Sequence, residues 1–233
     1  MARTFKRYTL AEFITVLRQH VGKVKFSEVH VHATWKPTIA DFRRSGGLKL
    51  QQAMQRAHLQ RGFNDIAQHV TIDPDGYIWE GRPLTVAPAS ATGHNDGDSD
   101  GEHPFMFEMI GNFDRGCELL EGAQLETTLG LTRAIMSLFG VPLKRVRFHR
   151  DMTSLKTCPG SGVNKAEFMR QLQEEEGEDM EPIKVEINGK AVTGGELSKA
   201  GVVMVPLRAV GEALGAKVSW DKTSKTARVK TKK

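Results

Sequence analysis

Two histidine-bearing segments and one cysteine, far apart along the chain, place the strongest constraint on how this sequence can fold. His149 and Cys158 lie nine positions apart, and a Pro-Gly pair directly follows the cysteine. More than a hundred residues upstream, the apolar segment 29–35 carries His30 and His32. One imidazole from each segment plus the thiolate gives three ligands, the number that a catalytic zinc ion uses while it keeps a fourth position for water. The spacing alone is a weak signal, so the interpretation of these residues as zinc ligands depends on the sequence around them.

Composition sets the broad class of the protein. The chain has 233 residues, 39% of them hydrophobic, which is enough for one large domain or for an ordinary domain plus a small one. No apolar run approaches the roughly eighteen residues that a membrane span needs. Residues 1–8 are basic, but no apolar signal-peptide segment follows them. The sequence therefore predicts a protein that is made in a cytoplasm, has no membrane span and reaches any extracellular target by another exit route.

The two cysteines allow either a disulfide or two separate roles. Cys117 and Cys158 are the pair that a disulfide would join. If Cys158 is a metal ligand, however, only one thiol is left. We then expect Cys117 to be an ordinary buried thiol, the usual state in a protein made in the cytoplasm.

An acidic run over residues 173–182, which ends in a proline, marks a boundary. It has little to bury, and we interpret residues 176–182 as a linker between a domain over 1–175 and a small domain over 183–233. Residues 182–233 hold eleven Lys and Arg against four Asp and Glu, a balance of +7, so the rest of the chain (22 basic and 24 acidic residues) carries −2. Such a basic module is attracted to polyanions: nucleic acid, a membrane surface or an anionic cell wall.

The first domain shows a mixed α/β pattern. A capping box at Thr9 and Glu12 begins a helix, and alternation around Val29 and Val31 indicates a strand. The further predicted elements are a helix over 48–61, a hairpin of 68–72 and 77–82, a central apolar strand over 105–110 and a helix over 125–139 closed by Gly140. The predicted fold class is α/β, with a mixed central β-sheet flanked by helices.

The tail also contains both strand and helix patterns, in shorter segments. The Asn188-Gly189 pair lies between two short apolar runs, which is a strong hairpin signal. Beyond it we predict a strand over 202–205, a helix over 206–214 stopped by Gly215, and a hairpin of 217–220 and 227–230. The tail is therefore predicted to be a small α+β domain. Since it contains no His and no Cys, we expect no catalytic constellation there.

Four short motifs in the first domain occur in an order that is typical of one enzyme family. They are residues 31–37, the hairpin end 80–83, the turn 92–95 and the closing segment 157–160. Together they resemble the zinc-dependent N-acetylmuramoyl-L-alanine amidases, the group that includes peptidoglycan recognition proteins and phage lysozyme-like amidases. The likeness covers about residues 25–172. Within that group, residues 65–69 and 107–114 are similar to endolysins of phages that infect Bacillus- or Geobacillus-type bacteria.

This resemblance implies a peptidoglycan hydrolase that cleaves the amide bond between N-acetylmuramic acid and L-alanine with a zinc-activated water. Carried over to this chain, the ligands of the one expected Zn²⁺ are His32, His149 and Cys158. His30 stays open as an alternative first ligand, because it faces the same side of the strand. The interval between His149 and Cys158 is one residue longer than is usual in the family, which implies one extra residue in the loop between these ligands.

The resemblance also implies roles for further residues. Glu108 is the candidate proton shuttle, against the alternative of a Glu at a strand edge that faces water. Lys156 is the candidate for stabilising the oxyanion, against that of a solvated loop cation. The candidates for substrate binding are His94, Asn95 and Trp35. Among the other histidines we expect His69 to be structural, and we interpret the rest as surface or helix residues: His20, His58 and His103.

The tail resembles the small stalk-like domain of copper amine oxidases over 203–210 and 213–221. Copper is not implied, since these residues contain no ligand set. With its positive charge, the tail is expected to anchor the enzyme to anionic wall polymers, and no nucleic-acid partner is expected. We thus expect an endolysin made in the host cytoplasm that acts on the bacterial wall after release. The alternatives are a non-catalytic peptidoglycan-binding protein and a host autolysin or prophage amidase of the same chemistry.

Overall fold

The computed structural model describes residues 3–96, 101–173, 181–197, 203–222, 224 and 226–231. The chain divides into two compact units, Met1–Gln173 and Glu174–Lys233. Most of the predicted linker lies outside the described residues. Its last two positions belong to a strand that begins at Glu181.

A six-stranded mixed sheet forms the centre of the first unit. Its strands are β1 (Arg7–Tyr8), β2 (Lys25–Ala33), β3 (Val70–Ile72), β4 (Ile78–Glu80), β5 (Glu102–Met109) and β6 (Val146–Phe148), in the spatial order β1-β4-β3-β5-β2-β6. The strand β5 pairs in parallel with both β2 and β3, and β6 pairs in parallel with β2. The strands β1, β4 and β3 pair antiparallel. The predicted α/β class and the interior position of residues 105–110 are confirmed.

Six α-helices accompany this sheet in the described part of the unit: α1 (Leu10–Arg18), α2 (Ile39–Ser45), α3 (Gly47–Gln60), α4 (Gly122–Phe139), α5 (His149–Met152) and α6 (Lys165–Gln173). The capping box predicted at the start of α1 is present, since the Thr9 side chain accepts from the backbone N–H of Glu12 and the Glu12 carboxylate accepts from the backbone N–H of Thr9. Helix α4 ends at Gly140 in the left-handed conformation (φ 72°), as predicted. Helix α2 was not predicted.

The main core of the first unit packs against one face of the interior strands, and Met106 of β5 is buried on the other face. Phe105, Phe107 and Phe148 are fully buried, as are the apolar residues of β3. This burial explains why β5 reads as an almost continuous apolar run, which is typical of parallel strands covered on both sides.

The structure corrects two predictions about individual residues. His103 is buried, with its ring edge-on to Phe26, because it lies on the interior strand β5 and not on the surface. Cys117 is exposed and not a buried thiol, because it lies in a turn where its N–H donates to the carbonyl of Asp114. Both cysteines are free.

The second unit contains two small sheets and one helix in its described residues. The strands β7 (Glu181–Ile187), β8 (Lys190–Leu197) and β9 (Val203–Met204) form one sheet, and β10 (Lys217–Asp221) and β11 (Thr226–Lys230) form the other. Helix α7 spans Leu207–Ala213. Asn188 and Gly189 both have positive φ (51° and 71°), the type I′ turn that their sequence predicts. Among all described helices of the chain, none is long and apolar enough to cross a membrane.

Candidate metal centre and active site

The ends of three adjacent strands bring the candidate catalytic residues together. His32 lies near the end of β2, and its direct partner on β5 is Glu108. His149 follows β6 directly as the first residue of α5. Because neighbouring strands lie about 4.8 Å apart and in-register side chains share a face, these residues converge at one edge of the sheet.

Three predicted ligands form a compact cluster there. One ligand atom from each of His32, His149 and Cys158 lies within 4.8 Å of the others. The two imidazole rings have centroids 4.4 Å apart. Two nitrogen donors and one sulfur donor form a set that suits a tetrahedral zinc ion with one position open for water.

Backbone contacts fix the loop that carries Cys158. The guanidinium of Arg150 donates to the carbonyls of Gly160 (2.5 Å) and Val163 (2.7 Å), and its backbone N–H donates to the carbonyl of Cys158 (2.9 Å). The backbone N–H of Ala33 points at the Cys158 sulfur, 3.3 Å away. The loop thus brings the thiol to the end of β2, even with the extra residue between His149 and Cys158.

The charge states of the donors fit a cation. Burial lowers the pKa of His32 well below its usual value, with the nearby His149 as a further cause. The pKa of His149 is lowered by burial and by the charge of Lys156. Burial raises the pKa of the Cys158 thiol to about 12. Two neutral imidazoles are ready to coordinate, and the thiol becomes a thiolate when a metal ion displaces its proton.

His30 does not belong to this cluster. Its Nδ1 lies 2.8 Å from the Ser90 hydroxyl, and its Nε2 lies 2.8 Å from the Glu28 carboxylate. Both ring nitrogens are therefore engaged, which leaves His32 as the candidate first ligand.

Glu108 lies on an interior strand and its carboxyl group is buried, which disfavours the alternative of a Glu at a strand edge that faces water. Strand β5 pairs on both sides, and Glu108 has His32 and Thr71 as its direct neighbours. Burial raises the pKa of Glu108 to about 7, opposed in part by the charge of Arg61. Its negative charge in turn contributes to the raised pKa of Cys158. A carboxyl group with a pKa near neutrality is suited to take up and release a proton.

Comparison with known families decides the class of the protein. The sequence profile described as N-acetylmuramoyl-L-alanine amidase matches residues 22–161. The chain belongs to the N-acetylmuramoyl-L-alanine amidase family. It is therefore an amidase that hydrolyses peptidoglycan. In the tail, residues 186–233 match the copper amine oxidase N-terminal domain.

The fold of the amidase unit is found in a solved structure. A mutant of the Drosophila peptidoglycan recognition protein PGRP-LB, in complex with tracheal cytotoxin, is 25% identical with a TM-score of 0.50; the alignment covers 60% of this chain and 78% of that one. The endolysin N-acetylmuramoyl-L-alanine amidase LysCS from Clostridium intestinale is 22% identical with a TM-score of 0.49, and the alignment covers 64% of this chain and 84% of that one. A comparison with curated proteins gave no match.

Lys156 lies in the segment that leads to Cys158 of the amidase. Its side chain is exposed, and its charge contributes to the lowered pKa of His149 and offsets a small part of the rise in the pKa of Cys158. The role predicted for Lys156 stays a prediction.

The three predicted substrate-binding residues have different surroundings in the amidase. Trp35 follows β2 with a left-handed backbone (φ 55°) and is 61% exposed, so its indole is free to meet a ligand. His94 is partly exposed and lines a polar pocket with Glu28 and Arg147. The Asn95 carboxamide oxygen is occupied within its own loop, as described below. Their contact with substrate remains a prediction.

Sequence reasoning missed Ser90. Its hydroxyl lies 2.8 Å from Nε2 of His32, and its side chain is buried between two histidines. A lone serine in a loop gives no local pattern, so only the three-dimensional arrangement reveals it.

Proposed function

We propose that this amidase is a zinc-dependent enzyme of the endolysin type, in which His32, His149 and Cys158 hold one Zn²⁺ per chain. The observation that carries the proposal is the approach of the three ligand atoms to within 4.8 Å, with the Glu108 carboxylate on the neighbouring strand. A protein that only binds peptidoglycan has no need of this combination of ligands and proton carrier. When bound, zinc supplies Lewis acidity to the scissile carbonyl and lowers the pKa of a water molecule.

Glu108 moves the protons in this mechanism. In its carboxylate form it accepts a proton from the attacking water, and as the acid it donates that proton to the nitrogen of the leaving L-alanine. Its pKa of about 7 places both forms within reach at neutral pH. The pairing of β2 with β5 places Glu108 directly opposite His32.

Lys156 places positive charge near the carbonyl oxygen of the scissile amide, where negative charge develops during attack. Trp35 offers an exposed aromatic face for a sugar ring, and His94 contributes polar contacts from the neighbouring loop. Asn95 acts on substrate through its amide N–H₂ group.

The target of the enzyme is the peptidoglycan of a bacterial wall. The balance of +7 over residues 182–233 supports electrostatic attachment of the tail to anionic wall polymers. We further propose that the protein is made in a host cytoplasm and reaches the wall after release.

One experiment tests catalysis against binding alone. Purified protein is incubated with purified cell walls, and new free amino groups of L-alanine are counted with and without a strong chelator. The proposed function requires soluble products with new N-terminal L-alanine, and their loss on chelation with recovery after zinc is added back. Sedimentation with the walls but no new amino group would show a binding protein instead.

A further inference from the structure

A buried chain of hydrogen bonds extends from the candidate ligand His32 towards the surface. His32 Nε2 lies 2.8 Å from the Ser90 hydroxyl, which also lies 2.8 Å from His30 Nδ1. His30 Nε2 lies 2.8 Å from the Glu28 carboxylate, and Arg145 donates to the same carboxylate over 2.7 Å. Ser90, His30 and Glu28 are all buried, so protein groups and not bulk water decide the direction of each bond.

The number of protons on these side chains determines which group donates in each hydrogen bond. A carboxylate only accepts, so His30 must carry its proton on Nε2 and present a lone pair at Nδ1. The single hydroxyl proton of Ser90 is then donated to His30 Nδ1. Ser90 is left with lone pairs only, so His32 must carry its proton on Nε2. The lone pair of the His32 ring is therefore at Nδ1, the nitrogen available to a metal ion.

The charge state of Glu28 supports this order. The hydrogen bond from His30 is the largest cause that holds the pKa of Glu28 down at about 2, and the bond from Arg145 adds to it. The carboxylate is therefore ionised at any pH at which the enzyme is expected to work.

A second contact fixes Ser90 itself. The side-chain oxygen of Asn95 accepts from the backbone N–H groups of Ser90 (2.7 Å) and Ala91 (2.9 Å). These two bonds fix the backbone at Ser90, whose hydroxyl contacts His30 and His32 on one face of β2. Asn95 thus stabilises the loop that carries Ser90, in addition to the substrate contact predicted for it.

We propose that Ser90 is the positioning residue of the metal centre, and that Glu28 and His30 set its hydroxyl so that His32 presents Nδ1 to the zinc ion. This inference rests on the proposed function, since it takes His32 as a zinc ligand. Outer partners of this kind typically change metal affinity 10- to 100-fold when they are removed. Without the hydroxyl, the N–H of His32 is buried with no acceptor, and the ring is free to rotate or change its tautomer.

The first test measures zinc affinity in the full chain by competition with a chromophoric chelator. We expect Ser90→Ala to bind zinc about 10- to 100-fold more weakly than the parent chain, and Ser90→Thr, which keeps a hydroxyl, to stay within about threefold. The matched control is Thr132→Val, which removes a buried hydroxyl on α4 that bonds only within its own helix. That control should leave zinc affinity unchanged.

The second test needs no substitution. A long-range ¹H–¹⁵N spectrum of the zinc-loaded parent chain reports which nitrogen of each imidazole carries the proton. We expect His30 and His32 both to be protonated at Nε2. A proton on Nδ1 of either ring would overturn the inference, and this readout holds even if Ser90→Ala fails to fold.

The outcomes distinguish a failure of the role of Ser90 from a failure of the proposed zinc-dependent function. If the parent chain holds no zinc, the proposed function fails and the inference fails with it. If the parent holds zinc and folded Ser90→Ala binds it within twofold of the parent, the proposed function stands and the positioning role of Ser90 is wrong.

Discussion

His32 and Glu108 are direct partners across the parallel strands β2 and β5, so a candidate metal ligand and a carboxyl group with a pKa of about 7 share one face of the sheet. Backbone hydrogen bonds set this pairing, and neither residue can shift without moving the register of the sheet. Zinc-dependent hydrolysis of an amide bond needs both a metal centre and a proton carrier, and this pairing places the candidates for the two side by side.

The first prediction concerns the metal. Cys158→Ser should lose zinc and wall lysis together, because a hydroxyl is a far poorer zinc ligand than a thiolate. The matched control is Cys117→Ser, which removes the exposed thiol that lies outside the cluster. Zinc content by elemental analysis should be about one per chain in the parent and the control. Full lysis by Cys158→Ser would contradict the proposed metal centre.

The second prediction concerns proton transfer. Glu108→Gln removes the proton carrier but keeps the size of the side chain, so zinc content should persist while the turnover rate falls on the order of a hundredfold or more. Glu102→Gln, at the start of the same strand, serves as the control, since that carboxylate pairs with Lys25. Rates are measured on soluble peptidoglycan fragments. If Glu108→Gln is nearly as active as the parent, Glu108 is structural.

The third prediction concerns Lys156. Lys156→Ala should lower kcat more than it raises KM, because the charge is needed as the carbonyl oxygen becomes negative and less when substrate is bound. We expect a smaller loss than for Glu108→Gln, about tenfold, with zinc content unchanged. Lys144→Ala, at another exposed lysine of the same unit, should behave like the parent. A loss that appears only in KM would assign Lys156 to binding.

Local patterns accounted for much of the fold. The Asn188-Gly189 turn and the helix stop at Gly140 were predicted correctly because each depends on a backbone conformation that few residues adopt. Helix α2 was missed because it has seven residues and one buried side chain, Phe42, which gives no clear period. The burial of His103 was missed because it depends on neighbours from other elements, among them Phe26.

In the site, too, local motifs were predicted correctly and contacts between distant residues were missed. The cluster of His32, His149 and Cys158 was predicted from motifs that resemble a family, and the structure brings the three together. Ser90 was out of reach, since its partner His32 lies 58 positions away and no local pattern links the two. Long-range polar contacts of this kind depend on the packed fold and leave little trace in a single sequence.

The fourth prediction concerns stability in acid. The folded pKa of Glu28 is about 2, below its ordinary 4.5, so its ionised form stabilises the fold above pH 4.5 and this contribution is lost as pH falls towards 2. The lost contribution is on the order of 3 kcal/mol. Urea unfolding of the parent and of Glu28→Gln should therefore differ most near pH 6 and converge only as the pH falls to about 2. A difference that is independent of pH would mean that Glu28 acts through packing alone.

The last prediction concerns the tail. Lys217 and Lys230 are exposed and directly opposite each other on β10 and β11, an arrangement that repels and that an anionic partner would relieve. Replacing four exposed lysines of the tail by glutamine should weaken binding of the full chain to purified walls at low salt: Lys184, Lys190, Lys217 and Lys230.

The matched control neutralises four exposed lysines of the amidase unit, so that the net charge changes by the same amount: Lys6, Lys23, Lys49 and Lys144. Sedimentation with walls should fall clearly for the tail variant and only slightly for the control, while hydrolysis of soluble fragments stays the same in both. The difference between the variants should shrink as salt rises, because exposed charges are screened within about 8–10 Å at physiological ionic strength. Equal losses in the two variants would show that net charge alone drives attachment, and the tail would then need another role, such as stability or dimerisation.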